Sequence, residues 1–307
     1  MTRRIGILLC DTDNPFWREK RAQYLRLAPE RGFAPEFRAP RSVNDPEEQR
    51  RVLERMLGEG YEAIVINPLS STNLAPAVRK TGGTPLFDVG PKCDPHVVAG
   101  APGYHPVPVA DFEEQGRIVA DALLSSISEP SGWALALGGF RDARHSEARC
   151  RGAFHAFAKV FPQRRILTGY ANFDRDEAYF MVRSLLAELP GVRTIFCAND
   201  LMALGALRAV EELGGRTPSV GGVDAIPEAV EAVREGRLCC TAGIVQEDVV
   251  RLVYETLERW FEEGVDVACP LLPSFLLSRR RYPEDEAYML TDFGRSGESV
   301  RKIHHES

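Results

Sequence analysis

Two doubly wound parallel sheets, each covered by helices, are the fold this sequence predicts. Three observations carry that expectation. Short apolar runs alternate with longer amphipathic stretches along most of the chain. The length of 307 residues is enough for two cores at roughly 150 residues per domain. One stretch, residues 89–108, breaks the alternation with clustered Pro and Gly, as a passage out of the first core would.

The elements follow in order. Apolar runs predict strands at Ile5–Leu9, Ala63–Ile66, Pro85–Asp88, Trp133–Leu137, Ile166–Tyr170, Thr194–Ala198, Val220–Val223 and Leu238–Ala242, with a weaker one at Ala34–Arg38. Helical periodicity groups Ile118, Val119, Ala122, Leu123 and Ile127 on one face of 113–127. It does the same for Leu201, Leu204, Leu207 and Val210 in 199–213, and for Val249, Val250, Val253, Leu257, Trp260 and Phe261 in 246–263. Val89–Pro108 shows no period, so it is expected to be a long loop leading to a domain crossing near Val109–Asp111. From Arg279 onward the pattern is lost, and charge runs such as Glu284-Asp285-Glu286 predict a surface tail over 281–307.

Composition excludes several classes. A net charge of −6 disfavours nucleic-acid binding by this chain alone, which needs a basic face. No run of about 18 apolar residues predicts a membrane span, so direct membrane insertion is not expected. The opening MTRRIGILLC places only Ile5–Leu9 between its arginines and Cys10. That is shorter than the roughly 7–15 residues of a secretory core, and reads as a first buried strand. The chain as written is therefore expected in the cytoplasm, or in the periplasm if an upstream signal precedes it. The seven cysteines form no C-x-x-C, Cys10 and Cys197 sit in apolar runs, and Cys239-Cys240 would face opposite sides of a strand. Neither a metal nor a cofactor is expected.

Ligands of parallel α/β sheets bind beyond the carboxyl ends of the strands. Amides, carboxylates and aromatics recur there: Asp11 to Trp17 after the first strand, Asn67, Asp88, Asp111, Phe140, Asn172 to Asp174, Asn199-Asp200, Asp224 and Gln246. Each has a plainer reading, since Asn14-Pro15 and Asn199-Asp200 are ordinary helix starts and Asp111 and Asp174 are equally good caps. Together they suit a hydroxyl-rich guest: amides and carboxylates offer paired acceptors or a donor and an acceptor, and aromatic faces pack on sugar C–H faces. An enzyme is the alternative, with Asp11, Asp13 and Asp224 as acid and base on a sugar-like substrate. Against it, the chain has no G-x-G-x-x-G after the first strand, no P-loop, no G-x-S-x-G and no H-E-x-x-H.

The run Ile5-Gly-Ile-Leu-Leu through Asp13-Asn14-Pro15-Phe16-Trp17 resembles the opening of the ribose-binding branch of the type I periplasmic binding proteins. The same core forms the effector domain of the lac and galactose repressors. Four further segments agree in order: Ala63-Ile-Val-Ile-Asn67-Pro68, Asn172-Phe173-Asp174-Arg175, Asn199-Asp200-Leu-Met-Ala-Leu-Gly205-Ala-Leu, and Val220-Gly-Gly-Val-Asp224 with Val233-Arg-Glu-Gly236. The similarity spans about residues 3–278.

The resemblance implies a non-enzymatic clamp of two lobes joined by a three-segment hinge, closing on a sugar or polyol. Lobe one would be 1–109 plus 243–272, and lobe two 110–242 plus 273–280. Its partner would be a membrane permease or a signalling protein. Family positions imply that Asn14, Phe16, Trp17, Asn67, Asp88, Phe173, Asn199 and Asp224 line the pocket, with Gln246 near the third crossing. Among Arg141, Arg144 and Arg149, Arg144 is the favoured sugar contact, because Arg149 matches a structural arginine three residues before Gly152. Val89 stands where ribose-type proteins carry arginine, which predicts a less cationic pocket. No helix-turn-helix precedes Ile5, so a regulator reading would make this its effector-binding part only.

Overall fold

The structure, a computed structural model, describes residues 2–128, 131–214, 218–264 and 269–278. The expected tail at 281–307 lies outside them. The chain opens with β1 (Arg3–Leu8), α1 (Pro15–Leu27), β2 (Phe33–Arg38), α2 (Pro46–Met56) and β3 (Ala63–Ile66). It continues through α3 (Ala75–Val78), β4 (Leu86–Val89), α4 (Pro95–Val98) and β5 (Tyr104–Val107). These strands form one parallel sheet in the order β2-β1-β3-β4-β5.

The second layer follows with α5 (Phe112–Ser126), β6 (Trp133–Gly138), α6 (Arg144–Phe157), β7 (Ile166–Tyr170), α7 (Arg175–Glu188) and β8 (Val192–Cys197). Then come α8 (Asp200–Leu213), β9 (Ser219–Val223), α9 (Pro227–Arg234), β10 (Cys240–Gly243), α10 (Gln246–Glu263) and β11 (Phe275–Ser278). Its sheet runs β11-β10-β9-β8-β6-β7, parallel except that β11 is antiparallel to β10. Both sheets thus reverse strand order beside their first strand, between β1 and β3 and between β6 and β8. Those reversals open crevices at the carboxyl ends.

The inner strands β1, β3, β4, β6, β8, β9 and β10 are largely buried on both faces. Ile5, Ile7, Val65 and Phe87 belong to the first core, and Leu135, Leu137, Ile195 and Phe196 to the second. The chain returns to the first layer through α10, which buries Val249, Val250, Val253 and Leu257 beside Ile5 and Ile7. The Tyr254 hydroxyl donates to the Tyr24 carbonyl at 2.8 Å, and its ring stacks on Phe33 at 5.0 Å. Leu272 N–H then donates to the Val109 carbonyl at 2.9 Å before β11 joins the second sheet.

One expectation fails. The stretch 89–108 is not a structureless loop but carries α4 and β5. Asp94 caps α4, its side chain accepting from His96 N–H at 2.8 Å, with Pro95 in the first turn. β5 holds Pro106 because it is an edge strand paired only with β4, so a missing N–H costs no ladder bond.

Close helix packing sets the second layer. A Cβ on Gly116 would lie 1.8 Å from the Arg149 carbonyl oxygen, and one on Gly152 would lie 1.9 Å from that of Glu113. Only glycine lets α5 and α6 approach this closely, and the approach holds Arg149 against the ends of the strands. Among the described residues no helix is long and apolar enough to cross a membrane, and no group of three His, Cys, Asp or Glu could hold a metal ion.

Candidate functional site: the interlobe cleft

The two sheets face one cavity of about 190 Å³, the space of several waters or a small guest. On the lobe-one side the turn after β1 is self-braced. Asp11 Oδ1 accepts from Asp13 and Asn14 N–H at 2.5 and 2.9 Å. Asn14 then caps α1, its Oδ1 accepting from Phe16 N–H at 3.0 Å. The amide nitrogen of Asn14 makes no hydrogen bond among the described residues, and the side chain lines the cavity. Phe16 and Trp17 meet edge to face at 4.9 Å, and both line the cavity.

On the lobe-two side the loop after β7 takes left-handed backbone at Asn172 (φ 46°) and Phe173 (φ 58°). This carries the Phe173 ring over Gly139, where a Cβ would sit 2.2 Å from it. Phe173 stacks on His145 at 5.3 Å and 7°. Asn199 caps α8, accepting from Met202 N–H at 3.0 Å, and its amide donates to the Phe173 carbonyl at 3.4 Å. Asp224 sits at φ 115°, a conformation that costs energy for a residue with a Cβ. Gln246, at the hinge, donates to the Ile244 carbonyl at 3.2 Å, while its Oε1 is buried without a partner among the described residues.

The cleft therefore brings together Asn14, Phe16, Trp17, Phe173, Asn199, Asp224 and Gln246. Four other expected residues do not line it. Asn67 is fully buried behind the wall; its Nδ2 donates to the Leu8 carbonyl at 3.0 Å. Asp88 is also fully buried. Its Oδ2 accepts from Lys92 N–H, Cys93 N–H and the Tyr104 hydroxyl at 2.9, 2.8 and 2.7 Å, which shapes the loop after β4. Asp111 is an exposed cap of α5, accepting from Glu114 N–H at 2.9 Å.

Arg144 is exposed at the first position of α6, and the arginine in the cleft is Arg149. Helical phase decides between them. His145 and Arg149, one turn apart, share the face turned to the cavity, and Arg144 is rotated by about 100° from His145. Arg149 is 6% exposed. It donates to Gln115 Oε1 at 2.9 Å and to the Ala198 carbonyl at 2.7 Å, and pairs with Asp224 at 3.2 Å. A structural and a cavity-lining place coincide in this one side chain.

Two cations absent from the sequence-based reading also line the cleft, Lys20 and Lys92, so the pocket is not poor in positive charge. Lys20 projects from α1 one turn beyond Phe16, its Nζ 4.7 Å from that ring centroid and 5.1 Å from that of Trp17. Lys92 Nζ lies 5.7 Å from the Trp17 centroid and donates to the Val89 carbonyl at 3.1 Å and to Asn67 Oδ1 at 3.4 Å. Burial, then the charge of Lys92, lowers the Lys20 pKa to about 7. Burial also lowers that of Lys92. Burial and then the neighbouring cations Lys92 and Arg149 hold His145 well below its usual pKa, so its ring is neutral. Burial raises the Asp224 carboxyl, with Arg149 opposing. The spacing of Lys20 after Phe16 was a usable helical signal; nothing in the sequence placed Lys92.

A family model described as a periplasmic binding protein domain matches residues 5–260. The D-allose-binding periplasmic protein of Escherichia coli is 28% identical over 249 residues, covering 80% of this chain and 80% of that protein. The ribose import binding protein of Haemophilus influenzae is 28% identical over 273 residues, covering 87% and 89%. In fold, the chain is similar to a periplasmic solute-binding protein of an ABC transporter from Actinobacillus succinogenes, solved with D-allose. That likeness has a TM-score of 0.81 at 24% identity and covers 91% of this chain and 98% of that one. With the family model covering most of its length, this chain belongs to the periplasmic binding protein family.

Proposed function

We propose that the chain binds a small polyhydroxylated guest, a sugar or polyol, between its lobes without transforming it, and passes it to a membrane permease from the periplasm. One observation carries the reading: amide and carboxylate side chains ending strands of both sheets meet aromatic faces around a single cavity. Asn14 comes from the first layer, and Asn199 and Asp224 from the second. Hydroxyls bridging them would be desolvated hydrogen bonds, favourable only when both walls are present, so binding favours lobe closure. The allose and ribose proteins above support the guest class by their names.

A thermal-shift screen over pentoses, hexoses and polyols tests this. A guest at 100 times its Kd adds about 2.7 kcal/mol of stability. Asp224→Asn and Phe173→Ala should lose most of that shift, and the guest should be recovered unchanged after long incubation. Chemical conversion of the guest would support the enzyme reading instead.

A further inference from the structure

The buried cations say more about the guest than the amides do. Lys20 and Lys92 are 4% and 7% exposed, and neither ammonium forms an ion pair among the described residues. Buried lysines are rare without a carboxylate, because desolvating an ammonium is costly. The acidic groups around the cavity are engaged elsewhere. Asp224 faces Arg149, Asp11 holds the N–H groups of its own turn, and Asp174 caps α7 by accepting from Glu177 N–H at 2.8 Å. Asp88, four residues before Lys92, turns its Oδ2 to three donors of its own loop; its Oδ1 is buried without a hydrogen-bond partner among the described residues, so its charge favours the Lys92 ammonium without an ion pair. Two cations thus approach Trp17, with centroid distances of 5.1 and 5.7 Å, on the wall of the site already described.

Resting on the sugar or polyol reading, we propose that the guest also carries an acidic group, a carboxylate or a phosphate, seated at Lys20 and Lys92 beside Trp17. Its hydroxyls meet Asn14, Asn199 and Asp224. The acid supplies the direct ion pair that the walls withhold; the Lys20 ammonium has three donors for its oxygens, and that of Lys92, already donating to Val89 and Asn67, has one. The groups acting on Lys20 are Lys92 from the loop after β4, Cys10 after β1, Asp224 after β9 and Arg149 on α6. Arg149 and Asp224 pair with each other, which leaves, among the described residues, Lys20 and Lys92 as the cations without an ion pair that an entering anion meets. The lowered Lys20 pKa adds a signature: above neutral pH, binding an anion draws a proton onto the amine.

Calorimetric titration of the full chain tests this with matched sets: D-ribose, D-ribonate and D-ribose 5-phosphate; D-glucose, D-glucuronate and D-glucose 6-phosphate. At least one acid should bind tenfold or more tightly than its neutral parent. At pH 8 it should take up part of a proton, read from buffers of different ionisation heat. Lys20→Gln and Lys92→Gln should each cut that preference, the ratio of acid to neutral-parent affinity measured on the same variant, at least tenfold. Tighter binding of the carboxylate or of the phosphate member identifies which acid the site takes. Neutral sugars binding as well as or better than every acid would overturn this inference and leave the sugar-binding reading standing. Binding by no member of either set would defeat both.

Discussion

Asp142, in the loop after β6, holds the lobes together at the rim of the cleft, and its removal should weaken guest binding without touching the cavity. Its carboxylate accepts from the Ser71 hydroxyl and from Thr72 Oγ1, the latter at 2.9 Å, both on the loop after β3. Its backbone carbonyl also accepts from Ser71 N–H at 2.7 Å. Asp142→Ala deletes the two side-chain bonds and keeps the backbone one. Hydrogen bonds to charged groups contribute about 1.5–3 kcal/mol when buried. Thr72 and Asp142 are exposed, so about 1–2 kcal/mol for the pair is a fair figure. At 1.4 kcal/mol per decade this shifts the open–closed equilibrium by roughly 5–30-fold, and the apparent Kd rises by up to that factor as the competent fraction falls. Calorimetry would read the affinity, and small-angle scattering without guest would read the spread of the lobes. An affinity unchanged within twofold, with an identical scattering curve, would refute the latch. A remaining contact, Asn44 Nδ2 to the Asn172 carbonyl at 2.6 Å, should keep the variant from opening completely.

Arg149→Met strips a buried cation from Gln115, the Ala198 carbonyl and Asp224. Urea denaturation should show a loss of about 3–5 kcal/mol, and Asp224→Leu in the same chain should recover part of it. Gly152→Ala places a methyl 1.9 Å from the Glu113 carbonyl oxygen. Backbone cannot yield cheaply there, so a loss of about 1–3 kcal/mol is expected, read as a lower Tm. Lys20 titrates at about 7 in the folded chain against 10.5 ordinarily. Between those values the unfolded chain keeps a proton the folded one has released, so stability without guest rises with pH across that window. Lys20→Met should flatten that rise and raise the Tm at pH 7, where the native chain still carries the penalty; a Tm that falls instead would contradict it.

How much of this was legible beforehand differs by feature. Most strands were, because sheets covered on both faces need unbroken apolar runs such as Ala63–Ile66. β5 was hidden by Pro106, which breaks a central strand but not an edge. Asn14 and Asn199 were legible because one side chain serves twice, capping a helix through its oxygen while lining the cavity. Asn67 and Asp88 were found at the right strand ends but on the wrong side of the wall. Strand spacing positions a Cα, whereas local donors such as Lys92 and Cys93 N–H decide where the carboxylate turns. Arg149 over Arg144 depended on where α6 starts, and a shift of one residue rotates the helix face by about 100°. Lys92 was invisible because its reach into the cleft comes from the fold of the loop around Asp88.

A crystal structure of the chain with the tightest guest from the calorimetric panel examines the central claim most directly. The account predicts that the guest lies between the sheets, its hydroxyls within hydrogen-bond reach of Asn14, Asn199 and Asp224, and a C–H face against Trp17 or Phe173. A guest held on an outer surface, or touching the side chains of one lobe only, would contradict it.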